Sequence, residues 1–144
     1  MSAATDYLEA LIADHLARDA SWTKPSGLYV GLFTAMPNDD ATGGTEVSGG
    51  SYARVQHGPG DAQWNVSSPG VVTNASDITF PQATADWGQL VGVGVWDAAT
   101  GGNLLFAAQL GATKTVGSGD PPQRFAAETL SVTVLCRVLH ATSG

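Results

Sequence analysis

Three histidines and a single cysteine are the residues of this chain best suited to nucleophilic or acid–base chemistry. A serine or cysteine hydrolase needs its nucleophile beside a base that a third group orients. His15 falls in a predicted helix, His57 in a predicted loop and His140 near the C-terminal end, so no common site is predicted. Cys136 alternates into the apolar face of the last predicted strand, where a buried thiol stays protonated and inert. We therefore expect no catalytic residues, and no enzyme.

The first long polar stretch contains one calcium candidate, with oxygen-bearing residues at alternate positions and a glycine at the sixth, as in an EF-hand loop. These residues are Asn38, Asp40, Thr42, Gly43 and Glu46. The twelfth position is Gly49 where that loop requires a bidentate Glu, so an Asx-rich turn is the better interpretation. One cysteine and three dispersed histidines do not form a zinc pattern either. We expect no metal and no other cofactor.

The stretch Gly92-Val93-Gly94 invites comparison with a nucleotide-binding loop. That fingerprint requires a helix directly after the glycines, whereas a strand pattern continues here into Trp96. We expect the two glycines to allow close approach of a neighbouring backbone or of a bulky aromatic such as Trp87 or Phe80.

Residues 1–20 are predicted to form an N-terminal helix. Asp6, with Glu9 three positions later, fits a capping box. Apolar residues then recur at helical spacing on one wide face. They are Tyr7, Leu8, Leu11, Ile12, His15 and Leu16. Pro25 and Gly27 prevent the helix from continuing.

From residue 28 the period changes to the alternation of β-strands. Strands are predicted at residues 28–33, 52–56, 71–73, 78–80, 90–96, 103–110 and 130–138, with 71–73 and 78–80 pairing around Asn74. Residues 38–51 and 57–69 are predicted as loops. Turn signals every 8–12 residues predict an antiparallel β-sandwich or barrel-like domain. The expected architecture is one mainly β domain over residues 1–144, with the sheets at 28–140.

The charge and composition of the chain limit the kinds of partner that it can bind. The net charge is −7, and the six basic residues are scattered, so no row of phosphates could be neutralised and direct nucleic-acid binding is not expected. No run of about 18 apolar residues predicts a membrane span. The N-terminus lacks the basic and apolar regions of a secretory signal. Charged residues make up only 13% of the chain, which suggests that a partner covers part of the surface.

Several blocks in order resemble one family of small tailed-bacteriophage virion proteins, often labelled phage tail fibre proteins. The blocks are residues 28–34, 37–40, 46–54, 78–88 and 96–105, together with Tyr7-Leu8-Glu9 at the start. The resemblance covers most of the chain. It implies a structural protein of the virion exterior, made in the bacterial host cytoplasm, without catalytic residues.

Two virion roles remain open. Fibres usually gain length from coiled coils or β-helical repeats, and the sequence shows neither, which favours a capsid decoration (cement) protein that bridges major capsid subunits. The alternative is a tail fibre or tail-tip adhesin that contacts the host surface and other tail proteins. A free carbohydrate-binding protein is a third hypothesis. A homodimer or homotrimer is expected in either virion role.

Aromatic and apolar residues are the candidates for an interface. On the helix side they are Tyr7, Leu11, His15 and Trp22, and among the predicted loops they are Tyr52, Trp64 and Trp87. Each could instead belong to the core. Trp87, between two strands, favours the core, whereas Trp64 lies between Gln63 and Asn65 in a Gly/Pro-rich stretch and suits a contact equally well.

Overall fold

The structure, a computed structural model, describes residues 2–133. The predicted continuation of the last strand, with Cys136, lies outside the described residues, and so does His140 after it. Within them the chain forms one helix, α1 (Asp6–Ala17), and otherwise strands and connecting segments. The strands are β1 (Ser2–Ala4), β2 (Tyr29–Pro37), β3 (Gly43–Glu46), β4 (Val55–Gln56), β5 (Trp64–Ser68), β6 (Val71–Asn74), β7 (Ile78–Thr79), β8 (Gly88–Trp96), β9 (Leu104–Val116), β10 (Arg124–Phe125) and β11 (Ser131–Thr133).

All strand pairs are antiparallel. The large sheet has the order β1-β9-β8-β2-β3, and β4 pairs with the first two residues of β2. A three-stranded sheet has the order β11-β6-β5, and β10 pairs with β7 in a two-stranded sheet. The prediction of a mainly β, antiparallel fold with one N-terminal helix is confirmed. None of the helices in the described range could span a membrane, because α1 has 12 residues and a span needs about 20.

The core lies between the large sheet and the two smaller ones. Alternate residues of β2 and β8 face inward, as their apolar pattern predicts. They meet side chains from β7, from the segment after it and from Leu130, the residue directly before β11. Members of this cluster include Val30, Leu32, Val93, Val95, Ile78, Phe80 and Leu130. Burial of these residues supplies the apolar contacts that hold the three sheets together.

Helix α1 is shorter than the predicted range of residues 1–20, because Ser2–Ala4 form β1 and the helix ends at Ala17. It begins one residue before the position that the predicted capping box implies. The N-cap is Thr5, whose Oγ1 accepts a hydrogen bond from the backbone N–H of Leu8. The same hydroxyl donates to the carbonyl of Leu104 at 2.6 Å, which ties the start of the helix to β9. Asp6 instead occupies the first helical turn. Its negative charge there stabilises the helix by interacting with the positive end of the helix dipole.

Several predicted strands and loops differ in the structure. The stretches predicted as loops contain β3 and β5, and the predicted 52–56 strand is reduced to Val55–Gln56. Residues 71–73 and 78–80 do not pair around Asn74, because β6 pairs with β5 and β11 while β7 pairs with β10. The strand predicted at 103–110 continues to Val116. These pairings join segments far apart in sequence, which local patterns do not reveal.

The prediction for the Gly92-Val93-Gly94 stretch named the wrong aromatic neighbours. A Cβ on Gly92 would lie against Met36, and one on Gly94 would lie 2.7 Å from a ring carbon of Phe33. Trp87 and Phe80 lie instead in the core on the opposite side of the large sheet. The glycines leave room for bulky side chains on the outer face.

Candidate interaction surface

Residues suited to chemistry are engaged in local structure. His15 is exposed, and its Nδ1 accepts a hydrogen bond from the backbone N–H of Trp22 at 3.2 Å. No group of three or more His, Cys, Asp or Glu residues able to hold a metal occurs within residues 2–133. In the calcium candidate, Asp40 Oδ1 accepts from the backbone N–H of Thr42 at 3.0 Å, in an Asx turn. The hydrogen bonds from Thr42 lower the pKa of the Asp40 carboxyl.

The best candidate for a binding surface is an open apolar groove, called here the Trp64 groove, between the three-stranded sheet and the large sheet. Its volume is about 280 Å³. It is lined by Leu28, Pro59, Gly60, Asp61, Trp64, Val66, Val72, Val95, Phe106 and Val132. Nine of these ten residues carry no charge. Such a lining suits an apolar partner rather than a charged small molecule.

Trp64 is held in the groove wall by backbone contacts. Its Nε1 donates to the carbonyl of His57 at 2.8 Å. The indole lies so close to Gly58 that an added Cβ there would be 2.6 Å from Nε1. Gly58 also has a φ of +94°, which disfavours any side chain. The ring is therefore positioned before any partner arrives, which lowers the entropy cost of binding.

His57 fixes the loop that carries Trp64. Its ring is buried, and Nε2 lies 2.8 Å from the carbonyl oxygen of Gln63. Because a carbonyl only accepts, Nε2 carries the proton. The His57 and Trp64 rings meet edge to face, with centroids 5.2 Å apart. Burial lowers the pKa of His57, and the hydrogen bond to Gln63 partly opposes this shift.

The helix-side candidates lie around a second, smaller apolar cluster. Trp22 is half-buried against Ala4, Leu8 and Leu105. Leu28 and Phe106 belong both to the edge of this cluster and to the Trp64 groove. The structure thus places Trp22 and Trp64 at two sites that share walls, although they are 42 positions apart in sequence.

The other helix-side residues vary in exposure. Tyr7 is 40% exposed, His15 is exposed and Leu11 is half-buried. They flank the second cluster on α1 rather than line the Trp64 groove. Their participation in an interface stays a prediction.

Tyr52 and Trp87 lie away from the Trp64 groove, in contact with each other. Their rings meet edge to face at 5.5 Å, and Trp87 is only 5% exposed, with Nε1 donating to the carbonyl of Gly50 at 3.0 Å. The Tyr52 hydroxyl donates to Glu46 Oε1 and accepts from the backbone N–H of Leu32. Burial raises the pKa of Tyr52. Trp87 is therefore part of the core, whereas Tyr52 is half-buried. Their participation in an interface stays a prediction.

Sequence reasoning assigned no role to Arg54, which the structure places at the centre of a buried network. Arg54 makes a two-point contact with the Glu46 carboxylate, with both N–O distances 2.8 Å. Its Nη1 donates to the carbonyls of Ala98 and Gly101, and its guanidinium lies 4.0 Å from the centroid of the Trp96 ring. These contacts join β3 to the β8–β9 turn. The one sequence signal for this network is spacing: Tyr52 and Arg54 are two positions apart, so both can lie on one face of an extended segment, near an acidic residue, Glu46.

Comparison with known families shows which family the chain is similar to. The model of the family described as podophage GP4 fiber I protein gp80 matches residues 3–133, nearly the whole chain. No curated protein matches the sequence. The matched range contains the helix, all of the strands after β1 and the Trp64 groove. The chain therefore belongs to the podophage GP4 fiber I protein gp80 family of phage fibre proteins.

Proposed function

We propose that this protein is a non-enzymatic structural subunit of a tailed-phage fibre on the virion exterior, and that it acts through protein–protein contact at the Trp64 groove. The observation that carries the proposal is the family match over residues 3–133. A fibre subunit needs a stable fold and a binding surface, and it does not need a catalytic centre.

The contacts of the polar side chains support a structural role. Arg54, Tyr52 and His57 are satisfied by partners within the chain. No buried side-chain nitrogen or oxygen in the described range lacks a hydrogen-bond partner. A catalytic or ligand-binding group is commonly left with a free donor, acceptor or charge directed at its ligand. The polar groups described here serve to hold segments of the chain together.

The groove supports the binding part of the proposal. Its wall combines a prearranged tryptophan with aliphatic side chains, the composition that tight protein interfaces favour. Its one charged residue, Asp61, is exposed and would lie where a polar border is expected. The partners in this proposal are further copies of the chain and other tail proteins.

Capsid decoration was the role that the lack of fibre-forming repeats favoured. The family match supports the fibre alternative better, because the family's description names a fibre. A short module can serve in a fibre when length comes from assembly with other subunits. Host-glycan stacking by Tyr52 is not part of the proposal, since that ring packs inside the fold.

Copy number in purified virions tests the proposal. The protein should be present at a few copies per particle, measured by quantitative mass spectrometry against the major capsid protein. Gold-labelled antibody should locate it at the tail in electron micrographs. One copy per capsid subunit, with label over the head, would support capsid decoration instead. Absence from purified particles would contradict any virion role.

A further inference from the structure

A groove beside the second half of β9 differs from the Trp64 groove in its charge. Its volume is about 320 Å³, and its lining includes Leu90, Leu110, Lys114, Gln123, Arg124 and Phe125. No acidic residue lines it, although the whole chain carries a net charge of −7. We propose that this groove, called here the Lys114 groove, binds a sugar acid, that is, a sugar ring that carries a carboxylate. This site goes beyond the fibre function and does not depend on it.

Lys114 lies on the core side of the large sheet. It is directly opposite Leu90 in the β8–β9 pairing, and directly opposite residues of an antiparallel pair share a face. Leu90 is 2% exposed, and Val116, two positions after Lys114, is 1% exposed. Because side chains alternate along a strand, Lys114 belongs to the same face as Val116. A cation therefore stands where the alternation of β9 calls for an apolar residue.

The charge of Lys114 is not balanced within the described part of the chain. The three ion pairs found in residues 2–133 involve Arg18, Arg54 and Arg124, and no hydrogen bond is made there by the Lys114 ammonium group. An ammonium group can donate three hydrogen bonds. A ligand carboxylate would supply an acceptor for them and a charge of opposite sign.

Arg124 supplies the second cation of the groove, and Asp77 holds it from one side. Its Nη1 donates to Asp77 Oδ2 at 2.8 Å, while Asp77 Oδ1 accepts from the backbone N–H of Ala127 at 2.9 Å. A guanidinium carries five N–H groups, so the contact with Asp77 leaves others for a ligand. Arginine suits a carboxylate because two of its N–H groups can meet the two oxygens.

The remainder of the lining favours a ring over a bare anion. Leu90 and Leu110 form an apolar floor that belongs to the core cluster, and Phe125 packs against Phe80 with ring centroids 6.3 Å apart. Gln123 Nε2 donates to the carbonyl of Pro121 at 2.9 Å, which leaves its Oε1 as an acceptor for a ligand hydroxyl.

The size of the groove agrees with one sugar residue. Its volume is at the lower end of the range of about 300–1,000 Å³ that is typical of small-molecule sites. A phosphate ion would meet the two cations without covering the apolar floor, and a neutral sugar would cover the floor without balancing the cations. A sugar acid does both.

An NMR titration of the backbone amides tests the site. The probe is methyl β-glucuronide, and methyl β-glucoside is the matched control, because it differs only by a hydroxymethyl group in place of the carboxylate. The glucuronide should shift the amide signals of Ala112, Lys114, Gln123 and Phe125 until they saturate. The glucoside should bind at least about 10-fold more weakly, since it lacks the charge-assisted hydrogen bonds. Equal binding of the two sugars, or shifts confined to the Trp64 groove, would overturn the proposal.

Variants at Lys114 test the residue itself. Lys114→Gln should weaken glucuronide binding about 10-fold, whereas Lys114→Arg should keep most of it. Lys24→Gln is the matched control, because Lys24 is also exposed and lies outside the Lys114 groove. Well-dispersed amide signals will show that each variant is folded. Unchanged affinity in Lys114→Gln would refute the site and leave Lys114 with the role of keeping other strands away from β9.

Competitors test the class of ligand. Inorganic phosphate and a short glutamate-rich peptide, each at the concentration of the glucuronide, should not displace it. Displacement by phosphate would show a general anion site, and displacement by the peptide would show a protein-docking surface. Either result would overturn the assignment to a sugar acid. The proposed fibre function would stand in each case, because it is tested by copy number and location in the virion.

Discussion

Gly31 and Gly94 lie directly opposite one another on β2 and β8, and the ring of Trp96 covers both. A Cβ on Gly31 would lie 2.7 Å from Trp96 Cζ3, and a Cβ on Gly94 would lie 2.9 Å from Trp96 Cη2. The two glycines make a flat area on the outer face of the large sheet, and Trp96 packs there beside Phe33. Glycine weakens the interior of a strand, but here the two glycines are needed because any side chain would collide with the Trp96 ring.

Gly94→Ala should destabilise the fold. The new methyl group would be 2.7 Å from Phe33 Cε2 and 2.9 Å from Leu104 Cδ1, so both side chains must shift. Overpacking of this kind costs about 1–3 kcal/mol. Urea unfolding followed by tryptophan fluorescence measures the free energy of unfolding. Gly111→Ala in β9 is the control, because a Cβ there meets nothing within 4 Å. Equal stability of the two variants would contradict the close packing.

Arg54→Met should destabilise the fold by about 3 kcal/mol, the loss typical of breaking a buried ion pair. The Arg54 side chain is only 7% exposed. Its removal leaves the Glu46 carboxylate with the Tyr52 hydroxyl but without its cationic partner, and it takes a donor from the carbonyls of Ala98 and Gly101. Chemical denaturation provides the measurement.

Arg124→Met is the matched comparison for Arg54→Met. Arg124 also contacts a carboxylate at 2.8 Å, that of Asp77, but both side chains are about half exposed. Water and salt screen such a pair, so its loss should cost at most about 1 kcal/mol. A larger effect at Arg124 than at Arg54 would refute the structural role given to the Glu46–Arg54 pair.

Asn74→Ala should cost at least about 2 kcal/mol, because several buried backbone groups lose their partner. The Asn74 side chain is fully buried, its Nδ2 donates to the carbonyls of Ser76 and Ala126, and its Oδ1 accepts from the N–H of Leu130 at 2.8 Å. Hydrogen exchange should accelerate at Leu130. Asn74→Asp should be worse at neutral pH, since a carboxylate would face two carbonyl oxygens. An unchanged rate of hydrogen exchange at the Leu130 amide in both variants would contradict this role of the Asn74 side chain.

The elements predicted well from sequence are those whose own pattern is strong. β2 and β8 each contain a long, mostly apolar run, and α1 has an apolar stripe with stop signals after it. β5 was missed because Trp64-Asn65-Val66-Ser67-Ser68 is mostly polar and lies between Gly/Pro-rich segments. It is a strand because β6 pairs with it, and that information lies outside its own residues.

The candidate surface was predicted only in part for a similar reason. Trp64 and Trp87 both lie among polar neighbours, and sequence alone leaves each open to core or contact. The structure separates them by what surrounds the rings: Trp87 packs on Tyr52 in the core, whereas Trp64 lines an open groove. The role of Arg54 could not be predicted because it depends on a contact with the β8–β9 turn, which is more than 40 residues away in sequence.

Stability should fall on mild acidification because of His57. Burial lowers its pKa in the folded chain from the usual 6.5, so the unfolded chain binds the proton more readily. The contribution of neutral His57 to stability is therefore complete above pH 6.5 and is lost as the pH falls toward the lowered pKa. Urea unfolding between pH 8 and pH 5 should show a declining free energy of unfolding, before most carboxylates titrate.

His57→Gln should flatten this dependence on pH, because an amide does not titrate in this range and its Nε2 can still donate toward the Gln63 carbonyl. The variant will lose some stability at pH 8, since the ring contact with Trp64 disappears. His15→Gln on the exposed face of α1 is the control and should keep the wild-type slope. If His15→Gln flattened the curve and His57→Gln did not, the acid sensitivity would belong to the helix. The loop that positions Trp64 would then have no part in it.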